Sequence, residues 1–416
     1  MDKFFINDYD ELKQIIEKNF ISSAVNDSSI DLIKFVQRME IDFARFGFRN
    51  NHQRGIENIL IICLDEVGDF ILTSPTIRAI RENFPAAYIT LVVTKKIYQL
   101  AEFCPYVNEV LIFEREYKFL FDMIGSTIEF AGKNLWKRRY DKCFYLGFVR
   151  RNVRGWLTYF SGAKERIGFD INNVQRFFFT KYILPSIKDG VHESTVNLSL
   201  LNGIGLKVNT TNLEIWYSKR DFIAAKNLLG NFGEGRIKIA VGIGAGNPSR
   251  KYPIEKYLVA FKEIIDKGAA LVILGGSSEV DDAKFLEDNL PKEFVKNVVN
   301  VDWRVTAALI SLLDMYIGND TGTLHISSVL KKPVIYLSRV AKDIESICPD
   351  AVDETKRYAP FQTNFIVLRP DHQLEECRAN PIYTGCRLDE PHCITQIEPA
   401  EIVNAYDEML RKILKA

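Results

Sequence analysis

"DMYIGNDTGTLHISSVLKKPVIYLS" (residues 314–338) decides the architecture. An apolar run ends at Gly318, and Asn319, Asp320, Thr321, Gly322 and Thr323 then crowd polar and backbone-permissive groups into five positions. Leu324, His325 and Ile326 resume an apolar pattern, and "PVIYLS" (333–338) closes the stretch. Short, continuous apolar runs bounded by turn residues read as strands buried on both faces, and the segment between them, from about 322, reads as a helix. A strand, a polar junction, a helix and a second strand make one unit of a parallel sheet.

The same rhythm extends outward. Before this stretch come "IKIAVGIGAG" (237–246), a helix over about 254–267, "ALVILGG" (270–276), a helix near 279–290, "VVNV" (298–301) and a helix near 305–313. Further back, "NILIICL" (58–64) runs into "DEVGDF" and a helical stretch, followed by "YITLVV" (88–93), "EVLIF" (109–113), a helical segment near 117–136 and "DKCFYLGF" (141–148). Between the two series, "NLEIWYSKRDFIAAKNLLGNFGEGR" (212–236) is expected to hold a strand, a helix and a glycine-containing turn, and the domain boundary. The expected fold class is therefore α/β: two Rossmann-like, doubly wound domains, 56–218 and 219–416, facing a cleft. Residues 1–55 add an N-terminal helical segment, with amphipathic patterns around Leu12, Ile15 and Ile16 and from Ile30 to Phe43.

Composition excludes several classes. The chain has 416 residues, 54 basic against 54 acidic, and 47% hydrophobic content, so it lacks the basic excess of a nucleic-acid binder. The first residues interleave charges with apolar side chains at helical spacing. They offer neither a signal-peptide core nor a spanning segment, and a cytoplasmic protein is expected. Seven irregularly spaced cysteines make no secreted disulfide framework.

Four polar junctions follow expected strands, where open parallel sheets bind ligands. In "CLDEVGDFILTSP", Asp69 is either an N-cap or a carboxylate able to act as a general base toward a hydroxyl, with Asp65 and Glu66 as local competitors. In "GIGAGNPSRKYP" (242–253), Gly244 and Ala245 let the backbone approach a phosphate and Lys251 supplies a compact positive charge; the alternative is a turn with a solvated basic pair, Arg250 and Lys251. In "LGGSSEVDDA", Glu279 either accepts ribose hydroxyls or serves the dipole of a helix start. In the opening stretch, Thr321 and Gly322 start a helix whose N–H groups can bind an anion, whereas Asp320 suits a neutral polyol and His325 is either a ligand contact or a packed ring.

These segments, with "RIGF" (166–169) and "HESTVNLSLLNGIG" (192–205), resemble in consistent order glycosyltransferase family 9, the ADP-heptose heptosyltransferases of bacterial surface polysaccharides. The resemblance spans roughly residues 57–400. It implies the GT-B architecture, inversion at the anomeric carbon and no catalytic metal. It also implies a nucleotide-sugar donor, ADP-heptose first, and a lipopolysaccharide-type acceptor on a glycan, glycolipid or protein. Asp69 matches the base, Lys251 the residue at the donor pyrophosphate, Glu279 the ribose contact, and Asp320, Thr321 and Gly322 the sugar and phosphate loop. His325, Gly244 and Ala245 join the donor set, and peripheral contact with the membrane is compatible with such an acceptor.

Three features depart from the pattern. Residues 1–55 are additional. Arg150, Arg151 and Arg154, with Lys137, Arg138, Arg139, Lys164 and Arg166, form a basic cluster that is either a solvated surface or a site for an anionic acceptor. "HQLEECRANPIYTGCRLDEPHC" (372–393) gathers Cys377, Cys386, Cys393 and His392, with His372, into a candidate structural Zn or Fe site or a set of packed thiols. A protein heptosyltransferase, a nucleotide-sugar epimerase and a non-catalytic nucleotide-sugar binder remain alternatives.

Overall fold

The computed structural model describes residues 56–114, 120–147, 152–170, 175–185, 191–343, 353–373 and 392–415. The N-terminal extension, Arg150, Arg151, Cys377 and Cys386 lie outside the described residues. The chain divides into two compact units. One comprises Met1–Asp65, Pro75–Ser186 and Asn197–Thr210; the other comprises Glu66–Ser74, Ile187–Val196 and Thr211–Ala416.

The first unit carries a parallel sheet of six strands: β1 (Asn58–Cys63), β2 (Tyr88–Val93), β3 (Glu109–Ile112), β4 (Lys142–Tyr145), β5 (Glu165–Phe169) and β6 (Lys181–Ile183), in the order β3-β2-β1-β4-β5-β6. The second unit repeats it with β7 (Ile237–Gly242), β8 (Ala269–Leu274), β9 (Val295–Asn297), β10 (Met315–Asn319), β11 (Val334–Leu337) and β12 (Phe365–Leu368), in the order β12-β11-β10-β7-β8-β9. Each set, counted from its own first strand, reads 3-2-1-4-5-6, the doubly wound order. Ile59 to Cys63 and Ala269 to Ile273 are fully buried, because crossover helices cover both faces of a parallel sheet.

This order fixes where ligands belong. The connection reverses direction between β1 and β4 in one sheet and between β7 and β10 in the other, and a crevice opens beyond the strand ends at such a point. The residues after β7 and β10 are the junctions "GIGAGN" and "GNDTGT"; those after β1 are "LDEVGD".

Two expectations need correction. No strand forms at 212–217: the Glu214 N–H donates to Ser74 Oγ at 2.9 Å and Trp216 packs edge-on against Phe70, so this backbone is spent on a helix rather than on a ladder. The strand expected at "VVNV" lies three residues earlier as β9, although Val298 N–H and Asn300 N–H still donate to Ile273 O and Gly275 O. Asn300 then turns out of the sheet with φ of 60°.

Candidate active site

The switch point of the second sheet is built around Asn319, the fully buried last residue of β10. Its side-chain amide donates to Ile243 O at 2.8 Å and Gly244 O at 3.1 Å, and its carbonyl oxygen accepts from Tyr252 N–H at 3.2 Å and Tyr257 O–H at 2.9 Å. Every hydrogen-bonding position of the amide is used, and the loop after β7 is thereby tied to the end of β10. Below it, Tyr316 O–H donates to Asn319 O at 2.9 Å and lies 3.2 Å from Thr323 Oγ1. The ring has room because β7 and β10 pair glycine to glycine, Gly242 opposite Gly318; a Cβ on Gly242 would stand 2.7 Å from the Tyr316 ring. Thr321, extended at φ −147° and ψ 179°, caps the helix Gly322–Val329, and its hydroxyl meets Thr323 Oγ1 at 2.9 Å. That helix begins at the junction where an anion site is expected from the sequence.

The cations beside this loop are not equivalent. Arg250, at the end of the turn Pro248–Arg250, bridges Asp320 at 3.4 Å and Glu354 at 3.5 Å. Burial pulls its guanidinium down, but Asp320, Glu354, Tyr358 and Asp69 together carry it above its ordinary value. Arg339 completes the group, donating to Ser249 Oγ at 2.7 Å and lying 3.7 Å from Glu354. In the sequence Arg250 has a role only in the alternative reading, as half of a solvated pair; a basic residue between acidic ones far apart in the chain leaves no local signal. Lys251, in contrast, is half-exposed and lies 2.5 Å from Asp282. Glu279 is buried beside Gly244, where it accepts from Gly276 N–H at 2.7 Å and Ser278 O–H at 2.7 Å. Ala245 follows in the same loop, half-buried.

Asp69 reaches this group through two glycines. It stands in the first turn of the helix Val67–Asn83, as its third residue and not as an N-cap, where a carboxylate is favoured by the helix dipole. A Cβ on Gly68 would lie 2.6 Å from His325 Cδ2, and a Cβ on Gly322 would lie 2.9 Å from Val67. Only glycine permits these two helix starts to pack so closely. His325 is buried, with Nε2 3.9 Å from Asp320 and Nδ1 lacking a hydrogen-bond partner. Burial lowers its pKa, Asp320 opposes that shift and Arg250 reinforces it, so the ring is held toward its neutral form.

A further buried ion pair joins two elements of the second unit. Glu193, at the start of the helix Glu193–Gly203, accepts from Arg357 Nε at 2.6 Å. Arg357 closes the four-residue helix Glu354–Arg357, whose other end is the Glu354 already paired to Arg250. His192 stacks on Phe361 with ring centroids 4.5 Å apart and its Nε2 lies 3.0 Å from Ala359 O.

Several described members of the basic cluster are paired within the chain, while Lys137 and Lys164 are exposed. Arg154 is fully buried in an ion pair with Asp65 and donates to Leu64 O at 3.1 Å, so it is neither surface charge nor exposed to an acceptor, and Asp65 is engaged away from the base role. Arg138 pairs with Glu109, Lys164 with Asp141 at 2.7 Å, and Arg166 donates to Phe178 O at 3.0 Å. Of the candidate metal set, Cys393 is buried and His392 Nδ1 accepts from Cys393 N–H at 2.5 Å, while Cys377 and Cys386 lie outside the described residues. Among the described residues no three metal-ligating side chains gather, and no helix is long and apolar enough to cross a membrane.

Two doubly wound six-stranded sheets make the GT-B architecture, and comparisons with known proteins point to a glycosyltransferase. Residues 151–344 match the model of glycosyltransferase family 9 (heptosyltransferase). Lipopolysaccharide heptosyltransferase 2 of Escherichia coli K12 is 22% identical over 304 residues, covering 67% of this chain and 82% of that protein. The crystal structure of a family 9 glycosyl transferase from Veillonella parvula superposes with a TM-score of 0.70 at 20% identity, over 87% of this chain and all of that one. The E. coli ADP-heptose lipopolysaccharide heptosyltransferase II does so with 0.63 at 17% identity, over 85% and 99%. The chain thus resembles glycosyltransferase family 9 over residues 151–344 in sequence and over 87% of its length in fold.

Proposed function

We propose that the protein transfers a sugar, heptose from ADP-heptose, to a hydroxyl of lipopolysaccharide or another surface glycan, inverting the anomeric carbon without a catalytic metal. The observation that carries the reading is the packing of Gly68 on His325, which sets the Asp69 turn against the helix that begins at Gly322. The names of the E. coli relatives favour the same donor and acceptor.

In this reading Asp69 takes the proton of the acceptor hydroxyl as its oxygen bonds to C1 of the sugar. The bond from C1 to the diphosphate breaks on the opposite face, and ADP leaves. Charge growing on the diphosphate is met by the N–H groups of the Gly322 helix start, by Arg250 and by Lys251, which exchanges Asp282 for phosphate. Such preorganised donors do the electrostatic work that a divalent ion performs elsewhere. Glu279, already oriented by Gly276 and Ser278, retains lone pairs for ribose hydroxyls, and Gly244 lies against it, with Ala245 next in the loop. Asp320 and Thr321 take sugar hydroxyls. Arg150 and Arg151 are assigned to an anionic acceptor, and the enzyme works in the cytoplasm at the inner membrane face.

Asp69→Ala should reduce transfer by about two to four orders of magnitude, the range of a lost general base, while calorimetry shows ADP binding unchanged. Equal loss of both would refute the assignment. Lys251→Ala should weaken ADP binding by about tenfold or more, as loss of one charge-assisted contact does; an unaltered dissociation constant would remove Lys251 from the diphosphate site.

A further inference from the structure

A chain of hydroxyls, Tyr316 to Thr323 to Thr321, runs beneath the Gly322 helix start, and its buried end fixes the order of its protons. Tyr316 is fully buried and Thr323 is 6% exposed, whereas Thr321 is half-buried and is the member open to the junction. Each hydroxyl has one proton to donate and lone pairs to accept. Tyr316 O–H lies 2.9 Å from Asn319 O, a carbonyl that can only accept, so the phenol commits its proton there. Burial pushes the phenol up to about 12, against the hydroxyls of Thr323 and Thr321, and that proton stays in place at neutral pH. The contact between Thr323 Oγ1 and Tyr316, at 3.2 Å, then needs the Thr323 proton, and the contact between Thr321 and Thr323, at 2.9 Å, needs the Thr321 proton. Reversing the outer bond would leave Tyr316 and Thr323 facing each other lone pair to lone pair in a buried site, with one hydrogen bond lost. Although Thr321 occupies the cap position, its hydroxyl makes no capping hydrogen bond, so the helix does not take up its outward lone pairs. Two glycines make room for the chain: a Cβ on Gly242 would stand 2.9 Å from Thr323 Oγ1, and one on Gly318 would stand 2.7 Å from the Tyr316 hydroxyl.

We infer that this chain makes Thr321 an acceptor-only contact, a specificity-determining residue that selects a hydroxyl of the transferred sugar and rejects a phosphate oxygen. The inference rests on the reading of the Gly322 helix start as the nucleotide-sugar site. With its proton turned inward, Thr321 offers a ligand lone pairs alone. A diphosphate oxygen also brings only lone pairs, with negative charge, and the two repel; a sugar hydroxyl has a proton to give. Asp320, the preceding residue, is a carboxylate, so two acceptors stand in succession, the complement of a polyol. Tyr316 and Thr323 are positioning residues that act through Thr321.

Calorimetry on the full-length protein, without acceptor, tests this with ADP, ADP-heptose and ADP-heptoses in which one sugar hydroxyl at a time is replaced by fluorine. Fluorine fills the space but has no proton to donate. One of these donors should bind the parent about tenfold more weakly than ADP-heptose, the scale of an acceptor left without its donor. Thr321→Val should weaken ADP-heptose by a similar factor, leave ADP within about twofold, and abolish the penalty for that fluorinated donor. Tyr316→Phe should cut the penalty to about threefold or less, because Thr321 can then turn its proton outward. A penalty undiminished in Tyr316→Phe, or a loss of ADP affinity in Thr321→Val equal to that of ADP-heptose, overturns the inference. Should Tyr316→Phe not fold, as judged by its melting curve, Thr323→Val breaks the same chain one link further out and is read in the same way. A parent that binds ADP but not ADP-heptose overturns the donor reading and the inference with it, whereas ADP-heptose binding that Thr321→Val leaves unchanged overturns only the role of Thr321.

Discussion

Gly68 shows how much of the site depends on an absent side chain. In the first turn of a helix an alanine would be the better helix former, by up to about 1 kcal/mol. Here its Cβ would stand 2.6 Å from a His325 ring that is itself buried, so the ring or the helix must shift. Overpacking of this kind costs about 1–3 kcal/mol, and the clash outweighs the propensity gain. Gly68→Ala should therefore lower the urea midpoint and, by displacing Asp69, reduce transfer; a variant as stable and active as the parent would show that the contact is not needed. The glycine was legible as a turn residue, but its partner was not, because His325 is distant in sequence and only the fold joins them. The same limit explains Arg154, Asp65 and Arg250. A charge in a sequence carries no sign of burial until its counter-charge is placed, and each of these finds its partner 70 or 89 residues away.

Elements were more legible than their partners. The central strands β1, β7, β8 and β10 are continuous apolar runs and could be read directly, because burial on both faces suppresses alternation. β5, β6 with three residues and β12 with four were not read as strands: β6 and β12 lie at sheet edges, where fewer positions are buried, and the first two residues of β5 are not buried, so its apolar run is short. The four strand-end junctions were recognised as polar loops, but the role of Asn319 was not, since an asparagine at a strand end looks like any turn residue. It is instead the joint between β10 and the loop after β7. Asn319→Ala removes four hydrogen bonds and strands the Ile243 and Gly244 carbonyls and the Tyr257 hydroxyl. A cost of about 2–4 kcal/mol in urea unfolding is expected, dominated by the buried groups left without partners. A loss below about 1 kcal/mol would mean that water replaces the amide.

At the scale of the whole molecule, equal numbers of basic and acidic residues leave little net charge to drive unfolding at neutral pH, so buried titratable groups govern the response to acid. His192 is the clearest. Burial pulls its pKa from 6.5 to about 4, partly offset by the hydrogen bond to Ala359 O, and His325 lowers it slightly further. The folded protein thus holds the ring neutral where the unfolded chain would protonate it. The associated stability is complete above the unfolded value of 6.5, declines as the pH falls, and is lost by about pH 4. Two and a half units correspond to about 3 kcal/mol. His325, also lowered by burial, acts in the same direction. Replacing His192 by glutamine keeps a donor for Ala359 O and removes the titration. The variant should start less stable at pH 7, having lost the stack on Phe361, but its stability should fall less steeply between pH 6.5 and 4 than that of the parent. Urea unfolding across that interval measures both slopes. Parallel curves would mean that His192 is protonated in the folded protein at little cost, and that the segment 191–196 is held by something other than a neutral imidazole.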